Sequence, residues 1–212
     1  MKKGMTLIYP EYSGLYINLT NKCPCNCTFC IRQGKQQEFD NVDTLWLERE
    51  PTAQEVINAI KEESKTEQFN NYKEFVFCGY GEPTEALDTL LEVADFLKTN
   101  FSLPVRINTN GLGDLVNGKP IAPLLKNRID VLSISLNSSN PEIYEKTVRP
   151  IYKEKAFPAL LAFVKDAANY VPKIILSTVD TTITHEDEQQ CQKICDELGV
   201  TYRIRKFTNP VK

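Results

Sequence analysis

Four of the seven cysteines fall within eight positions, in the run Asn18-Leu19-Thr20-Asn21-Lys22-Cys23-Pro24-Cys25-Asn26-Cys27-Thr28-Phe29-Cys30. Thiolates bind zinc and iron–sulfur clusters, and a loop is needed to wrap several of them around one centre. Packing alone rarely explains such density. Two centres compete for the sulfurs. Zinc held by Cys23, Cys25, Cys27 and Cys30 would be a closed structural site, but ligands two residues apart, twice over, strain such a loop. The other choice takes Cys23, Cys27 and Cys30, with gaps of three residues and then two, and leaves Cys25 as a bystander. Three thiolates on a four-iron cluster leave one iron open, which is what catalysis needs. His185 is the only histidine, so di-histidine zinc hydrolases and metalloprotease helices are excluded.

A loop of this kind needs a frame, and the rest of the chain alternates strand and helix. Strands are expected over Leu15–Thr20, Glu74–Cys78, Pro104–Thr109, Ile129–Leu136, Lys173–Val179 and Val200–Lys206, with a polar stretch from the cysteines to about Glu50. Thr52 and Glu55 form a capping-box pair ahead of an apolar helical stripe. Further helices are expected from near Thr84, around Ala122–Lys126, after Asn140-Pro141, over Phe157–Asn169, and from Thr184 to Gly199. Six strand–helix units predict an α/β fold with a parallel sheet. The length is below the roughly 250 residues of an eight-unit barrel.

Side-chain parity selects among parallel sheets. Arg106, Asn108 and Asn110 oppose Val105, Ile107 and Thr109; Ser133, Ser135 and Asn137 oppose Leu132, Ile134 and Leu136. On the last strand Arg203 and Arg205 share a face opposite Tyr202 and Ile204. A sheet buried on both sides would instead read as near-continuous apolar runs. The expectation is a partial (β/α)6 barrel, helices outside, with an open, polar, ligand-lined concave face.

The 212 residues, with 42% hydrophobic and 25% charged side chains, suit one soluble domain over 1–212 with its core at about 15–206. A net charge of −3 offers no basic field for nucleic acid. The short apolar run Met5–Tyr9 makes no signal peptide, and no apolar segment approaches the roughly 20 residues that span a bilayer. Seven cysteines cannot all pair within the chain, and a reducing cytoplasm is the expected compartment. Cys78 has the parity to face the site but reads first as a buried, inert thiol; Cys191 and Cys195 read as packing or surface residues, and His185 has no obvious partner.

Cys-x3-Cys-x-aromatic-Cys after a first strand, with Phe29 at the aromatic position, resembles the signature of radical S-adenosylmethionine (SAM) enzymes. The overall pattern looks most like the TatD-associated radical SAM branch, a name that records gene neighbourhood with a nuclease. The resemblance implies that Cys23, Cys27 and Cys30 hold a [4Fe-4S] cluster whose open iron is chelated by SAM. One electron, from a donor such as a flavodoxin or ferredoxin, then yields a 5′-deoxyadenosyl radical that abstracts hydrogen from an unidentified substrate, small molecule or peptide. Gly81 and Glu82 match the family turn that receives the methionine ammonium, with Tyr80 in place of its first glycine. The plain alternative is a strand-to-helix turn that Glu82 caps. Ser135, then Asn137, and more weakly Asn108 are implied at the ribose hydroxyls. For Asn110, followed by Gly111, a simple turn is preferred. Arg149 would pair with the SAM carboxylate; Arg203 and Arg205 are alternatives for that group or for an anionic substrate, if not solvated surface charges. The runner-up function is a zinc- or iron–sulfur-stabilised binding or regulatory protein.

Overall fold

The structure, a computed structural model, describes residues 4–33 and 44–206. Its centre is one seven-stranded sheet in sequence order: β1 (Ile8–Glu11), β2 (Gly14–Ile17), β3 (Glu74–Phe77), β4 (Val105–Thr109), β5 (Val131–Ser135), β6 (Lys173–Val179) and β7 (Thr201–Arg205). From β2 to β7 every pair is parallel, and β1 and β7 are left as edges, so the sheet is not closed. These six parallel strands are the expected units. The seventh, β1, runs antiparallel to β2 and extends the Met5–Tyr9 run through Pro10. An edge strand tolerates that proline because it needs fewer ladder donors.

Helices α1 (Ala53–Glu63), α2 (Leu87–Asn100), α3 (Gly113–Asn117), α4 (Pro141–Val148), α5 (Ala156–Ala167) and α6 (His185–Leu198) fill the connections. α3 was not expected, and Ala122–Leu125 is a 3-10 turn rather than a helix. Leu15, Phe75, Ile107, Leu132 and Leu176 from the strands pack with Val56, Leu90, Leu97 and Phe163 from the helices in one buried core. Burial of one such leucine stabilises by about 2 kcal/mol. Cys191 and Cys195 are fully buried within it, where desolvation pushes both thiols up to about 12. Packing, not surface, is their place. His185 does have a partner: its Nδ1 lies 2.7 Å from Glu188 one turn on.

Strand register puts Tyr16, Val76, Arg106 and Val131 in line, and likewise Ser135, Ser177 and Arg203, on the face without helices. Over β4–β7 this face is polar, as parity predicts. Over β1–β3 it is not wet: Tyr9, Tyr16, Leu45, Val76 and Tyr80 form a second apolar cluster with Trp46 against it. The connection from the cysteines to α1 causes this. Its residues 34–43 lie outside the described residues, but its last part folds back onto the sheet, held by Asn18 Nδ2 to the Leu45 carbonyl (2.8 Å) and Asn21 Nδ2 to the Leu47 carbonyl (2.7 Å). Deep on the same face Arg106 makes a bidentate pair with Glu74, at 2.9 and 2.7 Å, and donates to Asn108 Oδ1 at 2.8 Å.

Asn140 caps the start of α4, with Oδ1 accepting from the Glu142 and Ile143 N–H groups at 2.9 and 3.0 Å. Asn140→Ala should lower unfolding stability by about 1 kcal/mol, read as a shifted urea midpoint at unchanged slope. An unchanged midpoint would show the cap to be dispensable. Among the described residues no helix is long and apolar enough to cross a membrane.

Candidate metal centre

The cysteine loop leaves the C-terminal end of β2 and is clamped between two elements. On one side it satisfies the last carbonyls of α4, which a helix leaves without intrahelical donors. Asn26 N–H donates to Val148 O at 3.1 Å and Thr28 N–H to Thr147 O at 2.9 Å, while Ile151 N–H donates back to Pro24 O at 2.9 Å. Cys25 and Pro150 form an antiparallel bridge between the same segments. On the other side Glu82 N–H donates to Lys22 O at 2.8 Å. Gly81 makes this approach possible: a Cβ there would lie 2.2 Å from the Thr20 carbonyl oxygen. The glycine thus serves contact between the turn and the loop.

The four half-buried thiols are not equivalent. Cys25 lies between Cys23 and Cys27 and hydrogen-bonds both. That bond holds the Cys23 and Cys27 thiols below the ordinary range, and pushes Cys25 far above it. Burial raises Cys30. The Arg32 guanidinium favours the thiolate form of Cys23, Cys27 and Cys30, and it stacks 5.0 Å from the Trp46 ring centre. A polarised, partly accessible group of thiols beside a cation is what thiolate ligation needs. The residues therefore fit an iron–sulfur cluster. The placement of Cys25 was not legible in the spacing, which leaves it as a bystander.

Glu82 is buried beneath the loop. Its carboxylate accepts from Thr109 Oγ1 (2.6 Å), the Asn110 N–H (2.7 Å), Thr84 Oγ1 (2.8 Å) and the Thr84 N–H (3.2 Å). Burial raises its pKa, and the hydrogen bonds led by Thr109 pull it back. The capping alternative is thus realised, since the Thr84 bond caps the 3-10 turn Pro83–Ala86. Tyr80, in place of the family glycine, sends its ring edge-on to Trp46, with centres 5.1 Å apart.

Other expected site residues scatter around this centre. Phe29 is half-buried within the loop. Asn108 is engaged by Arg106 and by the half-buried Cys78, whose thiol burial raises. Ser135 Oγ accepts from Arg205 at 3.4 Å. Asn137 is buried in left-handed backbone (φ 62°), and its Oδ1 has no partner among the described residues. Arg149 is exposed at the end of α4 and turns its Nε back to the Lys146 carbonyl at 3.4 Å. Asn110 is both a turn residue and more. Its Oδ1 accepts from Leu112 N–H at 2.9 Å, while Nδ2 reaches Cys25 Sγ at 3.7 Å and Cys23 Sγ at 4.0 Å. The parity it shares with Arg106 and Asn108 was the available signal. Nothing in the sequence marked Arg32.

The family model described as "Radical SAM superfamily" matches residues 17–198. A probable dual-specificity RNA methyltransferase RlmN of Parabacteroides distasonis is 30% identical over 140 residues, 65% of this chain and 35% of that protein. A probable GTP 3′,8-cyclase of Methanocaldococcus jannaschii is 25% identical over 199 residues, covering 93% of this chain and 59% of that one. The chain therefore spans between about a third and three-fifths of these relatives' length. Among solved structures, Streptococcus suis SuiB bound to precursor peptide SuiA superposes with a TM-score of 0.65 at 17% identity, over 94% of this chain and 42% of that one. At that identity the likeness speaks for the fold.

Proposed function

The chain belongs to the radical SAM superfamily, and from that membership we propose that it is a radical SAM enzyme acting on a substrate not yet identified. The superfamily's cofactors are a [4Fe-4S] cluster and SAM. Here Cys23, Cys27 and Cys30 would hold the cluster and the concave face would receive SAM. The observation that carries this reading is the clamped loop, where two acidified thiols and Arg32 stand above the buried Glu82. When bound, the cluster and SAM supply a 5′-deoxyadenosyl radical for hydrogen abstraction.

The chain's own residues prepare that chemistry. The backbone bonds from α4 and from Glu82 fix the loop before any ligand arrives, which lowers the ordering cost of binding. Asn110 Nδ2 directs a donor at the sulfurs. Glu82, held by Thr84 and Thr109, is assigned to the methionine ammonium, with Gly81 keeping the turn close. Ser135, Asn137 and Asn108 are assigned to ribose hydroxyls; the Asn137 Oδ1, without a partner among the described residues, is an acceptor for one. Phe29 packs within the loop. Arg149 is assigned to the SAM carboxylate and would first leave the Lys146 carbonyl. Further parts of the reading rest on sequence pattern: one domain over 1–212, a reducing cytoplasm, a flavodoxin- or ferredoxin-like donor, and the TatD-associated branch.

Anaerobic reconstitution followed by iron, sulfide and 5′-deoxyadenosine analysis tests the proposal. About four irons per chain, and 5′-deoxyadenosine formed only when SAM and reductant are both present, are expected. One observation favours a second reading: Cys25 sits between Cys23 and Cys27, as a closed four-cysteine site would have it. Stoichiometric zinc without sulfide would establish that binding module instead.

A further inference from the structure

Two arginines on β7 lie over the polar half of the concave face without a counter-charge among the described residues. Arg203 Nη2 donates to Ser133 Oγ at 3.2 Å, and Arg205 Nη2 to Ser135 Oγ at 3.4 Å. Both side chains cross β6 to reach β5, over Ser177, whose hydroxyl donates to the Ile134 carbonyl. Arg205 Nε is fully buried and has no hydrogen-bond partner among the described residues. Neither arginine is in an ion pair among those residues, whereas Arg106 on the same face is gripped bidentately by Glu74. Burial, then the neighbouring Arg203, holds Arg205 below its ordinary pKa. Arg203 is exposed and Arg205 half-buried, and two adjacent guanidinium forks matched, among the described residues, only to neutral hydroxyls leave positive charge, including the buried Arg205 Nε, for something else to meet.

We propose that Arg203, Arg205 and Ser133 form an oxyanion-binding site for a carboxylate or phosphate group of the substrate. The proposal rests on the radical SAM reading and adds the substrate's charge to it. Guanidinium forks recognise planar carboxylate and phosphate edges through paired N–H donors, and the Ser133 hydroxyl adds one more. The carboxylate of SAM is the competing anion. Glu82 is held at the end of β4 by Thr109 and Asn110, one strand from Ser135, so the SAM affinity of the arginine variants decides between the two anions.

The test uses the anaerobically reconstituted full chain with SAM bound, titrated calorimetrically with inorganic phosphate and with malonate at constant ionic strength. At least one probe should bind saturably. Binding should weaken about tenfold or more in Arg203→Gln and in Arg205→Gln, and be partly retained in Arg205→Lys, while the Kd for SAM shifts less than about threefold. Preference for phosphate marks a phosphorylated substrate and preference for malonate a carboxylic one; both support the site. Absence of saturable binding, binding indifferent to both Gln variants, or a tenfold loss of SAM affinity in Arg205→Gln would overturn it. If the chain takes up no cluster and makes no 5′-deoxyadenosine, the radical SAM reading fails by itself. The same titrations on the unreconstituted chain then decide the anion site.

Discussion

A Cys27→Ser chain should emerge from anaerobic reconstitution with essentially no iron or sulfide, and a Cys25→Ser chain with about four irons. The same loss is expected for Cys23→Ser and Cys30→Ser. The contrast is sharp because the cysteines are so alike in exposure and so close in sequence. Before metal binds, Cys25 gives the hydrogen bond that acidifies Cys23 and Cys27. Its removal in Cys25→Ala should raise their pKa values and so slow cluster assembly at neutral pH, more than it lowers the final iron content, whereas the serine hydroxyl of Cys25→Ser keeps a donor. Assembly in Cys25→Ala should therefore recover as pH rises through the thiol range, because the thiolate is the ligand. Loss of all iron from Cys25→Ser at every pH would mean that Cys25 is itself a ligand.

The second large effect is steric. Gly81→Ala should cost about 3 kcal/mol of stability and leave the chain unable to take up iron. Its new Cβ would meet backbone, with the Thr20 carbonyl oxygen at 2.2 Å, its carbon at 2.7 Å and the Lys22 carbonyl oxygen at 2.8 Å. None of these atoms can rotate away, so the loop or the turn must move. Either movement breaks the Glu82 N–H bond to Lys22 and uncouples Glu82 from the sulfurs. Gly118→Ala is the control: nothing lies within 4 Å of its Cβ, and only its φ of 62° is unfavourable. That substitution should cost about 1 kcal/mol and leave iron uptake intact. Chemical denaturation with parallel iron assays reads both. Equal small losses in the two variants would show that the turn does not press on the loop.

Much of this was legible in residue order because it is local. Parity at Val105–Thr109 and Val131–Ser135 separated the core face from the polar face, and both strands obey it. Asn140-Pro141, Thr184 and Gly199 announced helix ends that the structure uses as such. Glu82 was readable as a cap, and its bonds to Thr84 show it acting as one. β1 was hidden because a four-residue edge strand containing Pro10 looks like a loop until its partner is known.

Thiol spacing, a single histidine and alternating strand faces thus set the chemistry and the architecture from the chain alone, since each depends on neighbours a few positions apart. Contacts between distant residues supplied the rest. Asn110 meets Cys25 across 85 positions, and Arg205 meets Ser135 across 70. Leu45 and Trp46 fold back to fill half of a face that parity left open. Parity tells which way a side chain points, but only the curvature of the sheet and the return of its connections determine what it meets there.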